Sequence, residues 1–256
     1  MRFPAHPERR PVLIAGASSG IGAAAARSLS DAGHPVALGA RRVDDLGTLA
    51  GELTGEVFTH PLDVADGDSV REFVQTATDA LGPIEAIVSS AAMLRPGRIR
   101  EVDPEDFARE ISTNVLGVQR LVQAVVPGMV ARARGDVVLV SSDVADTVRP
   151  FMSSYATAKW AIEGFARSLR LELEGTGVRV GVVRPGPTMT GMGMDWNAED
   201  TEMVLEQWGR LGLTRSSHFM RPSAVADLIT VMVDQPRGVS IPLLEVQPEV
   251  DLKEQP

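Results

Sequence analysis

A single-domain, doubly wound α/β fold, with a seven-stranded parallel sheet and helices on both faces, is what this 256-residue sequence predicts. Three observations predict it. Short apolar runs rich in β-branched residues alternate with longer segments of helical period along the chain. Those runs are apolar at successive positions, the pattern of parallel strands covered on both faces. A glycine cluster, AGASSGIG at 15–22, follows the first run directly and opens the first helical segment.

The elements follow in order. PVLIAGA (11–17) is read as the first strand, and the segment 20–32 as the first helix. PVALGA (35–40) then leads to a helix over 43–54, and EVFTHPL (56–62) to a helix over 66–81 with Asp66 as its N-terminal cap. IEAIVSSA (84–91) precedes two helices, 103–111 and 113–133. DVVLVSS (136–142) precedes a helix over 154–175, and GVRVGVVRP (177–185) and SIPLLEV (240–246) are the last two strands, with a helix over 222–235 between them. Right-handed crossovers place any ligand at the carboxyl ends of the strands, where the strand order reverses. The segment from about 188 to 220, dense in Met and Trp, does not fit the alternation and reads as an inserted substrate lid. The domain is therefore expected to run over 11–247, with tails at 1–10 and 248–256.

Composition narrows the function. With no cysteine, thiolate metal sites and disulfides are excluded, and His6, His34, His60 and His218 are too scattered in sequence to suggest a ligand cluster. A formal charge of −9 argues against general nucleic-acid binding, so a phosphate must be held by local features. The absence of a long apolar stretch and of an apolar leader predicts no membrane partner and a cytoplasmic location.

Gly16, Gly20 and Gly22 stand where the chain must turn and start a helix, and free N–H groups at such a start attract phosphate. A plain tight turn is the other reading of this cluster. At the end of the second strand Ala40 takes the place of an acid, and Arg41 and Arg42 follow, which favours a 2′-phosphate and hence NADP(H), with NAD(H) as the alternative. Two solvated arginines opposite Asp44 and Asp45 are the competing reading. Asp63 ends the third strand and could accept from an adenine amino group or cap a helix.

The only tyrosine, Tyr155, lies four residues before Lys159 at a helix start, so the two share a face. A phenol titrates near ~10, and a cation beside it favours the phenolate, making it a usable general acid or base. Ser142 ends its strand thirteen residues earlier, at the same sheet edge, and Asn114 sits inside a helix where asparagine needs a reason.

Taken in order, AGASSGIG, LDVAD, STNVLGV, Ser142, SSYATAK and RPGPTMT resemble the short-chain dehydrogenase/reductase family over about residues 10 to 247. The resemblance implies a Rossmann fold in which Tyr155 is the acid/base, Ser142 polarises the carbonyl, Lys159 lowers the tyrosine pKa and Asn114 holds a relay water. It implies a cofactor site made of Gly16, Ser18, Ser19, Gly20, Ile21, Gly22, Arg41, Arg42, Asp63, Val64, Ala91, Tyr155, Lys159, Pro185, Gly186, Thr188 and Thr190. Ala15, where the family usually has threonine, and Ser89-Ser90-Ala91-Ala92 depart from the pattern and are expected to remove polar ties between the fourth strand and the glycine turn. Met93, Leu94, Phe151, Met152, Met192 and Trp196 flank the strand ends as an apolar pocket for a hydrophobic ketone or secondary alcohol, while Trp160 and Phe165 are assigned to core packing.

The activity so implied is NADPH-dependent carbonyl reduction, with a non-catalytic redox-sensing scaffold and an epimerase or dehydratase as competitors. Apolar residues of 113–133 and 154–175, namely Leu116, Leu121, Val122, Val125, Phe165, Leu169 and Leu173, exceed what one sheet face requires, and the resemblance implies that these helices pair across subunits into a homodimer or homotetramer.

Overall fold

The structure, a computed structural model, describes residues 3, 5–194, 196–213 and 219–249. Its strands are β1 (Val12–Ala15), β2 (Val36–Ala40), β3 (Val57–Pro61), β4 (Ala86–Ser89), β5 (Gly135–Val140), β6 (Val178–Pro185) and β7 (Leu243–Val246). They form one parallel sheet in the order β3-β2-β1-β4-β5-β6-β7. The order reverses between β1 and β4, so a crevice opens at their carboxyl ends.

The helices are α1 (Gly20–Asp31), α2 (Val43–Glu52), α3 (Gly67–Leu81), α4 (Pro104–Ile111), α5 (Gly117–Ala131), α6 (Ser153–Glu172), α7 (Ala198–Arg210) and α8 (Pro222–Val233). The period-2 geometry of β1 shows how they divide. Val12 and Ile14 pack into a layer with α1, α2 and α8, whereas Leu13 and Ala15 pack into the opposite one with α3, α5 and α6. Every residue of β1, β2, β4 and β5 is buried. The edge strands differ from the expectation of apolar cover on both faces. β3 is only half-buried and β7 alternates exposed with half-buried residues, because an edge strand is flanked by a neighbour on one side only.

Three other differences bear on the site. The segments 103–111 and 113–133 are one helical run, joined through a π-helical turn at Ser112–Leu116. Second, α7 lies within the 188–220 insertion. Only Val204 of it is buried, so its apolar period is weak, and its start is fixed locally, the Asn197 side chain accepting from the Asp200 amide at 2.8 Å. The insertion is closed at its base by backbone pairing of Met189 and Pro187 with Met220, each at 2.9 Å. Asp195 and residues 214–218 of the insertion, including His218, lie outside the described residues, as do residues 250–256 of the C-terminal segment.

Third, the apolar surplus on α5 and α6 is smaller than the sequence suggests. Leu121, Val122, Val125, Leu169 and Leu173 are buried in the chain's own core, and Phe165 packs against it, because both helices lie on one sheet face. Leu116 alone of that set is exposed, at 45%, and Trp160, assigned to the core from sequence, is 55% exposed. Among the described residues no helix is long and apolar enough to cross a membrane, and no group of three or more His, Asp or Glu could hold a metal ion.

Candidate active site

β1 ends at Ala15 and hands over to Gly16, whose φ of +85° lies in the left-handed region. A Cβ there would sit 2.6 Å from the Ala91 amide nitrogen, and one on Gly22 would overlap the Gly16 carbonyl. Glycine is therefore required on steric grounds, and the turn leaves a bare backbone concavity at the start of α1. Ser19, the residue before α1, makes no side-chain cap, so the first N–H groups of the helix are left for a ligand. Ser18 and Ser19 meet Arg42 instead, whose guanidinium donates to their hydroxyls at 3.1 and 2.7 Å while also pairing with Asp45 at 2.9 Å. Arg41, expected beside it, is exposed and makes no side-chain hydrogen bond among the described residues. The turn of the chain after β2 aims the second arginine, not the first, at the glycine loop.

The departures at Ala15 and Ser89–Ala92 do not cost the tie they were expected to remove. The Ser90 hydroxyl donates to the Ala15 carbonyl at 2.8 Å and the Ser90 amide donates to the same oxygen at 3.0 Å, so β4 remains fastened to the glycine turn. Asp63 uses Oδ1 to accept from the Ala65 amide at 2.9 Å, closing its own turn beside buried Val64, while Asp66 caps α3 as expected. From the far side Pro185 ends β6, Gly186 donates to the Val246 carbonyl at 2.8 Å, and the Thr188 hydroxyl donates back to Gly186 at 2.9 Å. The Thr190 side chain reaches the glycine turn, 3.1 Å from where a Cβ of Gly20 would lie, with Ile21 one residue beyond.

Next to this concavity, at the carboxyl end of β5, Ser142 meets Tyr155 in the first turn of α6. The Ser142 hydroxyl donates to Asp143 Oδ1 at 3.3 Å and accepts from the Val144 amide at 3.4 Å, and it acts on the Tyr155 hydroxyl from the same side. Lys159, one turn further, donates from Nζ to the Val140 carbonyl at 2.8 Å and lies 5.3 Å from the tyrosine ring centre. Tyr155 is 7% exposed and Lys159 4%. Burial pushes the Tyr155 hydroxyl well above its ordinary range; the Ser142 hydroxyl and the Arg149 charge oppose it, while the charges of Asp143 and Glu110 add to it. Burial likewise lowers the Lys159 ammonium to about 8, with Glu110 opposing. The expectation that the ammonium depresses the phenol is not met by these residues alone: the ammonium is held by a strand carbonyl, and desolvation outweighs the rest.

Asn114 sits in the π turn and is 1% exposed. Its amide group grips the backbone of Met93, accepting from the amide and donating to the carbonyl, both at 2.8 Å. The side chain thus fixes the segment after β4, and that is the reason asparagine is found in this helix.

The surroundings of Tyr155 are apolar. Leu94, Val144 and Met152 pack on the ring, with Ala92, Trp196 and Trp208 against them. Leu94, Met152 and Trp196 were named from sequence; Met192, 39% exposed, is not part of this cluster, nor is Phe151, whose φ of +67° turns the chain and whose carbonyl accepts from Gly97 at 2.9 Å. Sequence reading missed Trp208, which belongs to the unforeseen α7 and donates to the Pro150 carbonyl at 3.1 Å. It also missed the ion pair of Asp143 with Arg149, closed at 2.5 Å and 11% exposed on each side, over which Trp208 stacks at 5.6 Å from Arg149. The placement of Asp143 directly after Ser142 was the available signal.

Holding Lys159 buried has a cost that can be measured. Its folded value of about 8 lies below the 10.5 of a free lysine, so the unfolded chain binds more protons between these values and stability rises with pH through that window. Below pH 8 the whole penalty is present, about 3 kcal/mol. Lys159→Met removes it while giving up the Val140 bond, worth ~1 kcal/mol. The variant is expected to melt about 4–8 °C higher than the parent at pH 7, with the gap closing toward pH 10. Calorimetry across pH checks this; an unchanged or lower Tm at pH 7 refutes it.

The family model for short chain dehydrogenase matches residues 10–201. Glycine betaine reductase ATRR of Emericella nidulans is 35% identical over 92% of this chain, which spans 18% of that protein's length. Sulfoacetaldehyde reductase 2 of Chromohalobacter salexigens is 33% identical, with 93% of each chain covered. Among solved structures, an alcohol dehydrogenase from the archaeon Thermococcus sibiricus, complexed with 5-hydroxy-NADP, superimposes with a TM-score of 0.82 at 29% identity, covering 97% of this chain and 100% of that one.

Proposed function

We propose a specific activity from an established premise: the chain belongs to the short-chain dehydrogenase family and is an oxidoreductase of that type. The reading is an NADP(H)-dependent carbonyl reductase, or alcohol dehydrogenase in reverse, acting on a hydrophobic ketone or secondary alcohol. The observation that carries it is the convergence of Ser142, Tyr155 and Lys159 at one sheet edge, beside a glycine turn whose side-chain-free surface any Cβ would fill.

The residues fit a dinucleotide. Gly16, Gly20 and Gly22 give the backbone approach, the start of α1 faces the phosphates, Arg42 with Ser18 and Ser19 answers a 2′-phosphate, and Thr190 closes the loop from β6. The Thermococcus alcohol dehydrogenase is complexed with 5-hydroxy-NADP, which supports the same choice here. When bound, the nicotinamide supplies or takes the hydride. Ser142 orients and polarises the substrate oxygen, and Tyr155 Oη gives that oxygen its proton or removes it. Leu94, Met152, Trp196 and Trp208 exclude water and select an apolar substrate. Lys159 holds positive charge next to the phenol. Leu116, Val130, Trp160 and Leu171, apolar residues left exposed on or beside α5 and α6, are the face on which a homodimer or homotetramer would form.

The test is NADPH against NADH oxidation over a panel of carbonyl compounds. NADPH is expected to be preferred, and Arg42→Glu to weaken that preference about 10- to 100-fold, as loss of a charge-assisted phosphate contact would. Arg41→Glu, made in parallel, should do much less. A preference untouched by Arg42→Glu refutes the phosphate assignment. Thermal stabilisation by NADPH without turnover of any compound refutes catalysis in favour of a cofactor-binding scaffold.

A further inference from the structure

Of the residues of α7 only Val204 is buried, so the insertion needs other anchors to stay against the site. Two of them are tryptophans. Trp196, just before the helix, donates from Nε1 to the Leu94 carbonyl at 3.4 Å, and Trp208, near its end, donates to the Pro150 carbonyl at 3.1 Å. Both indoles pack against the cluster of Leu94, Val144, Met152 and Tyr155, so they fasten the insertion to the segments that follow β4 and β5.

The Trp208 anchor has a second component. The Arg149 guanidinium lies over the indole, 5.6 Å from its centre, and both of its terminal nitrogens are fixed on Asp143, one on Oδ1 at 3.0 Å and the other on Oδ2 at 2.5 Å. A two-pronged bond sets the plane of a guanidinium as well as its place, and a fixed plane is what an aromatic face can stack on. Asp143 is itself held firmly. It follows Ser142 at the end of β5, and its carbonyl accepts from the Asp146 and Thr147 amides at 2.9 and 2.8 Å. Closing the 143–149 loop does not by itself call for two charges with only 11% of each side chain exposed, since apolar contact of the same volume would serve stability as well.

The geometry points to Arg149 as a positioning residue for substrate binding: anchored on Asp143, it seats Trp208, and with it α7, against the apolar surroundings of Tyr155. The effect on substrate rests on the carbonyl-reductase reading above. The seating of α7 does not, and it can be measured without turnover.

Hydrogen exchange of the ligand-free protein, followed by mass spectrometry, reads the seating. In Arg149→Met the amides of 198–210 should exchange about 10-fold faster, while those of β5 and α6 keep the parent's rates. Arg149→Lys should behave like Arg149→Met, because an ammonium can pair with Asp143 but offers neither the fork nor the flat face. Should Arg149→Met not fold with Asp143 left unpaired, its combination with Asp143→Asn removes both charges together with the platform, and the same rise in α7 exchange is expected. In steady state, Arg149→Met and Arg149→Lys should raise KM for the best carbonyl substrate about 5- to 20-fold and leave kcat within about threefold, because Ser142, Tyr155 and Lys159 belong to the end of β5 and to α6. Trp208→Ala should raise KM as much, and adding Arg149→Met to it should raise KM by no more than about twofold further, as expected of groups that act in series. Exchange of α7 at the parental rate in Arg149→Met, or an unmoved KM, overturns the proposal. So does rescue by Arg149→Lys, or exchange that rises equally in β5 and α6, since the pair would then hold the loop or the core and not the insertion. If no carbonyl compound turns over, the activity reading fails and the exchange rates alone decide the seating.

Discussion

Tyr155→Phe is expected to lower kcat by about 10³-fold or more while leaving NADPH binding and melting temperature close to those of the parent. The change removes one oxygen and keeps the ring that Leu94, Val144 and Met152 pack against, so the pocket keeps its shape. General acid catalysis by a placed side chain is worth about 10²–10⁴-fold, and nothing nearby replaces it. Ser142 stays bonded to Asp143 and Val144, Lys159 is held by Val140, and the Asp143 carboxylate is closed on Arg149. Steady-state rates with the best carbonyl substrate, alongside NADPH titration by tryptophan fluorescence, check both halves. Turnover within about tenfold of the parent would remove Tyr155 from the acid/base role.

Glu163→Leu is expected to be the most destabilising single change on α6. Glu163 is 6% exposed and accepts from Arg184 Nε at 2.9 Å, from the second guanidinium nitrogen at 2.6 Å and from the Ser141 hydroxyl at 2.9 Å. These bonds join α6 to β5 and β6, one turn beyond Lys159, with Ser141 immediately before Ser142. The network therefore sets the position of Tyr155 relative to Ser142. Leucine leaves the buried guanidinium with Glu245, half-exposed and bonded to its other nitrogen at 2.9 Å, and breaking such a pair from one side costs about 3–5 kcal/mol. For a chain of this size the melting temperature should drop about 6–15 °C. Glu163→Leu combined with Arg184→Met should recover much of the loss, since both charges are then gone. Thermal melts of the single and double variants measure this, and a single variant within 1 kcal/mol of the parent would show that the network carries little.

The part of the site that could be read from sequence is the part that depends on neighbours in the chain. Gly16, Gly20 and Gly22 are legible because a strand-to-helix turn imposes positive φ and close approach within a few residues. Tyr155 and Lys159 are legible because helical geometry alone puts i and i+4 on one face. Asp66 and Asn197 are likewise local caps, although the helix after Asn197 was not foreseen because its apolar face is a single buried valine. Arg42 shows where such reading ends. Two adjacent arginines are equivalent in sequence, and only the direction of the chain after β2 decides which one reaches Ser18 and Ser19.

By itself the sequence determined the doubly wound sheet, the place of the glycine turn and the identity of the serine, tyrosine and lysine, because local period, turn sterics and side-chain chemistry are properties of short stretches. The tertiary structure decided the electrostatics. Desolvation depends on everything packed around a group, so a phenol expected to be lowered by its lysine is raised by burial, and the lysine is lowered with it. It also decided that Asn114 holds Met93, that Ser90 keeps β4 on the turn, and that Glu110 faces Ser154 from 44 positions away. Contacts between residues so far apart in the chain come into being only when the layers close on one another.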